Sequence, residues 1–314
     1  MSSAEGQKAR SPTRIGWRGW TATVWRVTRA MSDKDTSLRC AGVAFFGFLS
    51  IFPAIAIMVL LVGIFGDHAV LRSEIERLGA LMPDISFAVI VNQLDSVMRQ
   101  PPAGLGIGLA VSIVVALWSG SRGVDALMYA SSVAYHEKDE RSFMRSVLIS
   151  FAVTVCGALF MIVALALVAA IPIITSLSPI PGTGERLALL LRWPALLALS
   201  IVAFSLLYRF TASRKAAKFR WIWPGATLAS VLWLGACLLF SLYVEYFGEF
   251  EATFGSLAAA VVLLFWLYIS ALIFVLGAVL NAELELQTSV DTTVGPEKPL
   301  GDRGAYVADH FVDR

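Results

Sequence analysis

Four polar or aromatic residues lie in one apolar stretch, WSGSRGVDALMY, and they include an arginine that could bind an anion. Trp118, Arg122, Asp125 and Tyr129 lie at positions i, i+4, i+7 and i+11, so a helix would place them on one face. An arginine beside a carboxylate can be neutralised by it and still donate hydrogen bonds to a ligand phosphate or carboxylate. Because charges within a membrane span tend to face a cavity or the bundle interior, these residues are candidates for a substrate path.

Pro53 is a further candidate for this path. Both Arg122 and Pro53 also have a second, purely structural interpretation. Arg122 lies near the end of its apolar stretch, where a long cationic side chain can reach the lipid headgroups without a ligand. Pro53, in the sequence SIFPAIA, removes a helix hydrogen bond. It predicts a kink that serves either as a hinge or only as a bend.

Motifs for catalysis and for cofactor binding are missing from the sequence. The histidines His68, His136 and His310 lie far apart, and no HExxH, GxSxG or P-loop motif occurs. Clustered carboxylates, which a nuclease needs to hold divalent ions, are also missing. We therefore expect no enzyme, no catalytic residue, no metal and no cofactor.

Other polar and small residues of the spans have structural explanations. Gly225 and Gly277 each precede a further small or polar residue by four positions, which predicts tight contacts between helices. Asn281, Glu283 and Glu285 end the last apolar stretch, where we expect a solvated, charged helix terminus.

The elements that must position these residues are membrane spans. Apolar residues make up 57% of the chain and charged residues 15%, against about 45–50% and about 25% in soluble domains. A bilayer core about 30 Å thick needs about 20 helical residues. The apolar stretches of this kind are 40–65, 105–118 and beyond, 147–171, 187–207, 222–244 and 252–282. We predict an all-α membrane protein with six transmembrane helices.

The distribution of charge predicts the orientation of these spans. The segment before the first span contains eight lysines and arginines against three acids, and the loop after the fourth span is basic without an acid. Since basic residues favour the cytoplasmic side, we expect both termini in the cytoplasm and the protein in a bacterial inner membrane. Between the first two spans, residues 69–99 carry apolar residues at helical spacing. They predict amphipathic extracytoplasmic helices that either cap the spans or form a lid.

The chain divides into three segments on this reading. Residues 1–34 form a cytoplasmic leader, in which tryptophans among arginines predict a helix on the membrane surface. That helix either binds anionic lipid or only anchors the first span. Residues 35–286 form the membrane domain. Residues 287–314 are polar and contain glycine and proline, so we expect a flexible cytoplasmic tail.

Sequence motifs in several spans are similar to those of a known family. They are GVAFFGFLSIFP, WSGSRGVDALMYASSVAY, WPGATLASVLWLGACLLFSLYVEYFG and ATFGSLAAAVVLLFWLYISALIFVLGAVLNAELE. Over residues 35–286 the chain resembles the YihY/BrkB family of bacterial inner-membrane proteins, formerly labelled ribonuclease BN-like. The resemblance implies a six-helix membrane protein with links to virulence and envelope integrity. Val279 stands where family members commonly have an acid, so no role for that carboxylate is carried over.

A chain of six spans with one polar face and no soluble catalytic domain is expected to transport or translocate a substrate. The substrate would be an amphipathic or anionic component of the envelope, with membrane lipids as partners and no nucleic acid. Active transport would need an ion gradient or a partner protein, because no nucleotide-binding motif is present. The alternative is a membrane scaffold for envelope assembly, and the third hypothesis is an intramembrane enzyme or a ribonuclease. An oligomer is compatible with each.

Overall fold

The computed structural model describes residues 7–65, 102–139, 141–176, 183–247 and 256–312, and these form helices joined by short loops. Within these ranges no β-strand occurs, and Ala217 and Thr293 form an isolated β-bridge. The helices are α1 (Trp17–Met31), α2 (Lys34–Phe65), α3 (Pro102–Ala134), α4 (Phe143–Ser176), α5 (Thr183–Thr211), α6 (Phe219–Phe247), α7 (Ser256–Glu285) and α8 (Tyr306–Asp309). A short 3₁₀ turn at Pro12–Arg14 precedes α1. The prediction of an all-α fold is confirmed for the described residues.

Several of these helices are long and apolar enough to cross a membrane. In the described part of the chain there are four such stretches: Ile107–Ala134, Trp193–Thr211, Phe219–Tyr243 and Ala260–Glu285. A shorter apolar stretch, Phe143–Gly157, begins α4. These lengths and compositions support a membrane protein with several spans. The predicted amphipathic helices of residues 69–99 lie outside the described residues.

The chain forms two compact units, and each is described by itself. One consists of residues 1–45 and 123–314, and the other of residues 46–122. In the second unit, the α3 side chains Ile107, Val111 and Val114 are 68%, 56% and 65% exposed. Such a row of exposed apolar side chains is stable where lipid rather than water surrounds the helix.

The core of the first unit centres on the contact between α6 and α7, which glycine makes close. A Cβ atom at Gly225 would collide with the carbonyl oxygen of Gly277, and one at Gly277 would collide with the hydroxyl of Tyr208. The side-chain oxygen of Asn281 then accepts a hydrogen bond of 2.8 Å from the Gly225 amide. The predicted tight helix contact at these two glycines is confirmed.

The described segments nearest the two termini pack at one end of the first unit, which we call the termini face. It consists of residues 7–33, the α3–α4 and α5–α6 loops, and residues 286–312. The amide of Ser289 donates to the Gln7 carbonyl at 2.9 Å, and the amide of Lys218 donates to the Thr292 carbonyl at 2.8 Å. Arg303 is 6% exposed and donates to backbone carbonyls of the same segment. The segment expected to be a flexible tail thus has a defined packing position.

Candidate functional site

The polar end of α7 is buried. Glu285 is fully buried, Glu283 is 6% exposed and Asn281 is fully buried. The expectation of a solvated helix terminus is therefore wrong. The physical reason is that α1 and residues 286–312 cover this end of the helix, and arginines from outside α7 compensate both carboxylates.

Glu285 forms a bidentate ion pair with Arg214 of the α5–α6 loop. The two guanidinium nitrogens donate to the two carboxylate oxygens at 3.0 and 2.8 Å, and the Thr292 hydroxyl adds a hydrogen bond of 2.6 Å. The Arg214 guanidinium also lies 4.7 Å from the centre of the Tyr135 ring. Burial by itself lowers the pKa of Arg214, but the Glu285 carboxylate outweighs it and raises that pKa. The pair joins α7, a loop and the tail.

Glu283 makes the corresponding pair with α1. Its Oε2 accepts a hydrogen bond of 2.5 Å from Arg26 Nε, and Arg26 Nη2 donates to the Gln287 side chain at 2.9 Å. On the other side of this carboxylate, His136 Nε2 lies 3.8 Å from Oε1. Glu283 therefore holds α1 against α7 and contacts the α3–α4 loop.

A cavity of about 790 Å³ lies beside this pair, between α1, α2, α3 and α7. We call it the α1 groove. Its lining residues are Trp25, Arg26, Arg29, Ala30, Ser32, Asp33, Thr36, Arg39, Ala130, Val133, Ala134, His136, Val275, Val279 and Glu283. Three arginines face two acids, and alanine and valine side chains form much of the remaining wall. Such a lining is chemically suited to a molecule with an anionic group and an apolar part.

Two of the groove arginines are held over aromatic rings. The guanidinium of Arg29 lies 5.7 Å from the centre of the Trp25 ring, and that of Arg39 lies 5.7 Å from the centre of the Tyr129 ring. Arg39 also forms an ion pair of 3.4 Å with Asp35, a residue whose side chain is 69% exposed. An ion pair this exposed contributes little stability, so a ligand anion can compete for the guanidinium.

The five predicted substrate-path residues have different surroundings in the structure. Tyr129 lies under Arg39, and Asp125 accepts hydrogen bonds from Ser150 at 2.5 Å and Ser146 at 3.4 Å, both on α4. Trp118 and Arg122 are exposed and belong to the second unit. Pro53 lies within α2. The path through all five residues stays a prediction, and the structure places Tyr129 next to the α1 groove.

Sequence reasoning did not assign the groove arginines to a site. The tryptophans among the arginines of residues 1–34 predicted a helix, and α1 lies in this segment. The partner of α1 on α7 could have been found from one signal, which is two carboxylates at the end of an otherwise uncharged apolar helix. Among the described residues, no group of three or more His, Cys, Asp and Glu side chains could hold a metal ion.

Comparisons with known proteins find one family model and several relatives that the chain resembles. The family model described as virulence factor BrkB matches residues 27–300. The chain is 29% identical over 251 residues to the ribonuclease-like protein YfkH of Bacillus subtilis (strain 168), covering 78% of this chain and 89% of YfkH. It is 27% identical over 282 residues to the UPF0761 membrane protein PSHAa0171 of Pseudoalteromonas translucida (strain TAC 125), covering 88% and 89% of the two chains. No solved structure gives a significant match.

Proposed function

Since the chain belongs to the virulence factor BrkB family, we propose that it translocates or transports an amphipathic anion of the cell envelope across a bacterial inner membrane. The family is one of membrane proteins rather than a known enzyme family, although one relative carries a ribonuclease-like name. The observation that carries the proposal is the α1 groove, with its arginines and its apolar wall.

The proposed topology has six spans, with both termini in the cytoplasm. Besides the four apolar stretches identified above, α2 has 32 residues and α4 has 34. At 1.5 Å per residue, helices of this length reach about 50 Å, which exceeds a hydrocarbon core of about 30 Å. The basic leader and the basic α5–α6 loop then lie on the same side. This orientation puts the termini face and the α1 groove at the cytoplasmic surface.

Cysteine labelling in intact cells tests this topology. A single cysteine near Lys218 should react only with reagents that reach the cytoplasm, and one near Gly182 only with reagents on the outside. Reaction of both positions from the same side would refute the six-span arrangement.

The charges of the groove define the class of substrate. Arg26 is held by Glu283, whereas Arg29 and Arg39 contact aromatic rings and an exposed acid. A guanidinium can bind a phosphate or carboxylate through two parallel hydrogen bonds. The apolar side chains of Val275 and Val279, on α7, form part of the wall beside these cations. A phosphate-bearing headgroup with adjoining acyl chain matches both parts of the lining.

The carboxylates of Glu283 and Glu285, at the end of α7, are engaged in ion pairs. Glu283 and Glu285 are each bound to an arginine, and the described residues contain no candidate metal cluster. A hydrolytic mechanism based on divalent ions would need such a cluster. We therefore propose translocation rather than RNA cleavage.

Purified full-length protein in liposomes tests the function. Dithionite reduction of fluorescent phosphatidylglycerol measures translocation, with fluorescent phosphatidylcholine as the zwitterionic comparison without net charge. We expect the double variant Arg29→Gln/Arg39→Gln to slow phosphatidylglycerol movement about tenfold, which corresponds to about 1.4 kcal/mol of lost binding. The matched control is Arg10→Gln/Arg18→Gln, which removes the same charge from exposed positions outside the groove. No translocation by the wild type, or equal loss in both variants, would contradict the proposal, and RNA cleavage by the same preparation would support the nuclease instead.

A further inference from the structure

A second cavity on the termini face has a different lining and lies between two loops and the tail. Its volume is about 530 Å³. The α3–α4 loop contributes Lys138 and Arg141, the first turn of α4 contributes Arg145, and the α5–α6 loop contributes Ser213. The tail closes the cavity with Gly304 and Tyr306. We call it the loop pocket.

Positive charge predominates in the loop pocket. Among the described residues, its lining includes three cationic side chains and one carboxylate, that of Glu137. Glu137 Oε1 already accepts a hydrogen bond of 2.6 Å from the Tyr306 amide. In the part of the chain that the structure describes, the side chains of Lys138 and Arg145 have no hydrogen-bond or ion-pair partner. Both are exposed, so they are accessible to a ligand from solution or from the membrane surface.

Arg141 is the fixed cation of this pocket. It donates to the Thr211 carbonyl at 2.8 Å and the Phe210 carbonyl at 3.4 Å, and its side chain is 5% exposed. Asp139 lies 3.9 Å from it and offsets part of its charge. Burial lowers the pKa of Arg141, Asp139 opposes this effect, and the neighbouring positive charge of Arg145 adds to it. Because Arg141 and Arg145 both line the pocket, their like charges leave a field that an anion would neutralise.

The start of α4 adds to this field. Helix amino termini carry partial positive charge on their free backbone N–H groups, and α4 has no acidic residue in its first turn to satisfy it. Arg145 lies in that first turn. The helix end therefore reinforces the cationic side chains.

We propose that the loop pocket binds a phosphate group, with Lys138 and Arg145 as its charged ligands and the Ser213 hydroxyl as an additional donor. Because Gly304 and Tyr306 line the same pocket, a bound phosphate also holds the tail against the α3–α4 loop. The site is separate from the α1 groove and does not depend on a translocation activity.

Two kinds of probe distinguish the source of the phosphate. Inorganic pyrophosphate is titrated against full-length protein in phosphatidylcholine nanodiscs, and in a second arm the nanodiscs contain phosphatidic acid. Hydrogen exchange of residues 300–312 reports the tail in both arms. We expect at least one probe to slow this exchange in the wild type. Protection by pyrophosphate indicates a soluble phosphate compound, and protection only by phosphatidic acid indicates a lipid headgroup.

Variants show whether the named cations are responsible. Lys138→Gln/Arg145→Gln should weaken the response about tenfold or more, because two charged donors are lost. Arg10→Gln/Arg18→Gln removes equal charge at exposed positions, and its tail should respond to the probes as the wild-type tail does. The groove variant Arg29→Gln/Arg39→Gln should also keep the wild-type response of the tail. Since Arg145→Lys keeps the charge, it should retain most of the response and serves as the check on folding. The proposal is overturned if neither probe protects the tail, or if all the charge-removing variants weaken the response equally.

Discussion

Glu285→Gln should strongly destabilise the termini face. The substitution keeps the size of the side chain but removes the charge that compensates Arg214, whose side chain is 4% exposed. It also replaces an acceptor of the Thr292 hydroxyl hydrogen bond by an amide. Removing one partner of a buried ion pair costs about 3–5 kcal/mol, because the other charge is left without compensation.

The expected loss of stability is large enough to be measured as a shift of the thermal unfolding midpoint. For chains of about 150–250 residues, 1 kcal/mol shifts the midpoint of thermal unfolding by about 2–4 °C, so a loss of about 3–5 kcal/mol shifts it by about 6–20 °C. Thermal unfolding in detergent measures this shift, and hydrogen exchange of residues 286–312 shows whether the tail separates first. Exchange should rise most near Thr292.

A matched double variant separates loss of charge compensation from loss of packing. Arg214→Met/Glu285→Leu removes both charges and fills much of the same volume, so it should recover most of the lost stability. A midpoint for Glu285→Gln within about 2 °C of wild type would refute the reasoning. The same refutation would follow if the double variant were less stable than Glu285→Gln.

Three further predictions follow from other contacts. Gly225→Ala should prevent the close approach of α6 and α7 and reduce the yield of folded protein in size-exclusion chromatography, whereas Gly235→Ala, whose new methyl group meets no atom within 4 Å, should not. Burial raises the pKa of Asp291, but hydrogen bonds from the backbone amides of Thr293 and Lys298 outweigh it and lower this pKa below its ordinary value of 3.8. The ionised Asp291 side chain therefore contributes stability above pH 3.8. This contribution is lost as the pH falls through the lower pKa of the folded state. Hydrogen exchange of the tail against pH should show this loss, and Asp291→Asn should remove the pH step. Arg122→Lys at normal abundance should abolish envelope function if Arg122 grips a ligand, and normal function would identify it as an anchor.

The sequence predicted those features that depend on local composition. Long uncharged stretches identified apolar helices, because each span must satisfy its backbone groups internally. Small residues at Gly225 and Gly277 predicted tight helix contacts, and the structure shows that these two glycines meet between α6 and α7. Both predictions use properties that neighbouring residues share along one helix.

The candidate sites could not be predicted in the same way, because they depend on pairs distant in sequence. Arg26 and Glu283 are 257 positions apart, and Arg214 and Glu285 are 71 positions apart. Local reading assigned Arg26 to a helix on the membrane surface, Arg214 to a basic cytoplasmic loop and the glutamates to a solvated helix end. A polar composition likewise made residues 287–314 look unstructured, although the buried Thr288 hydroxyl donates to the Ala9 carbonyl and the buried Arg303 guanidinium donates to carbonyls within the tail itself.

The two carboxylates explain how one helix end organises both candidate sites. Successive residues of an α-helix are about 100° apart around its axis, so Glu283 and Glu285 point about 200° apart. Glu283 therefore reaches Arg26 of α1, beside the α1 groove, while Glu285 reaches Arg214 and the tail that closes the loop pocket. Because each carboxylate is nearly or fully buried, loss of its own arginine would leave it without a compensating charge. The position of α1 and that of the tail are thus set by separate charge pairs on opposite sides of the same helix end.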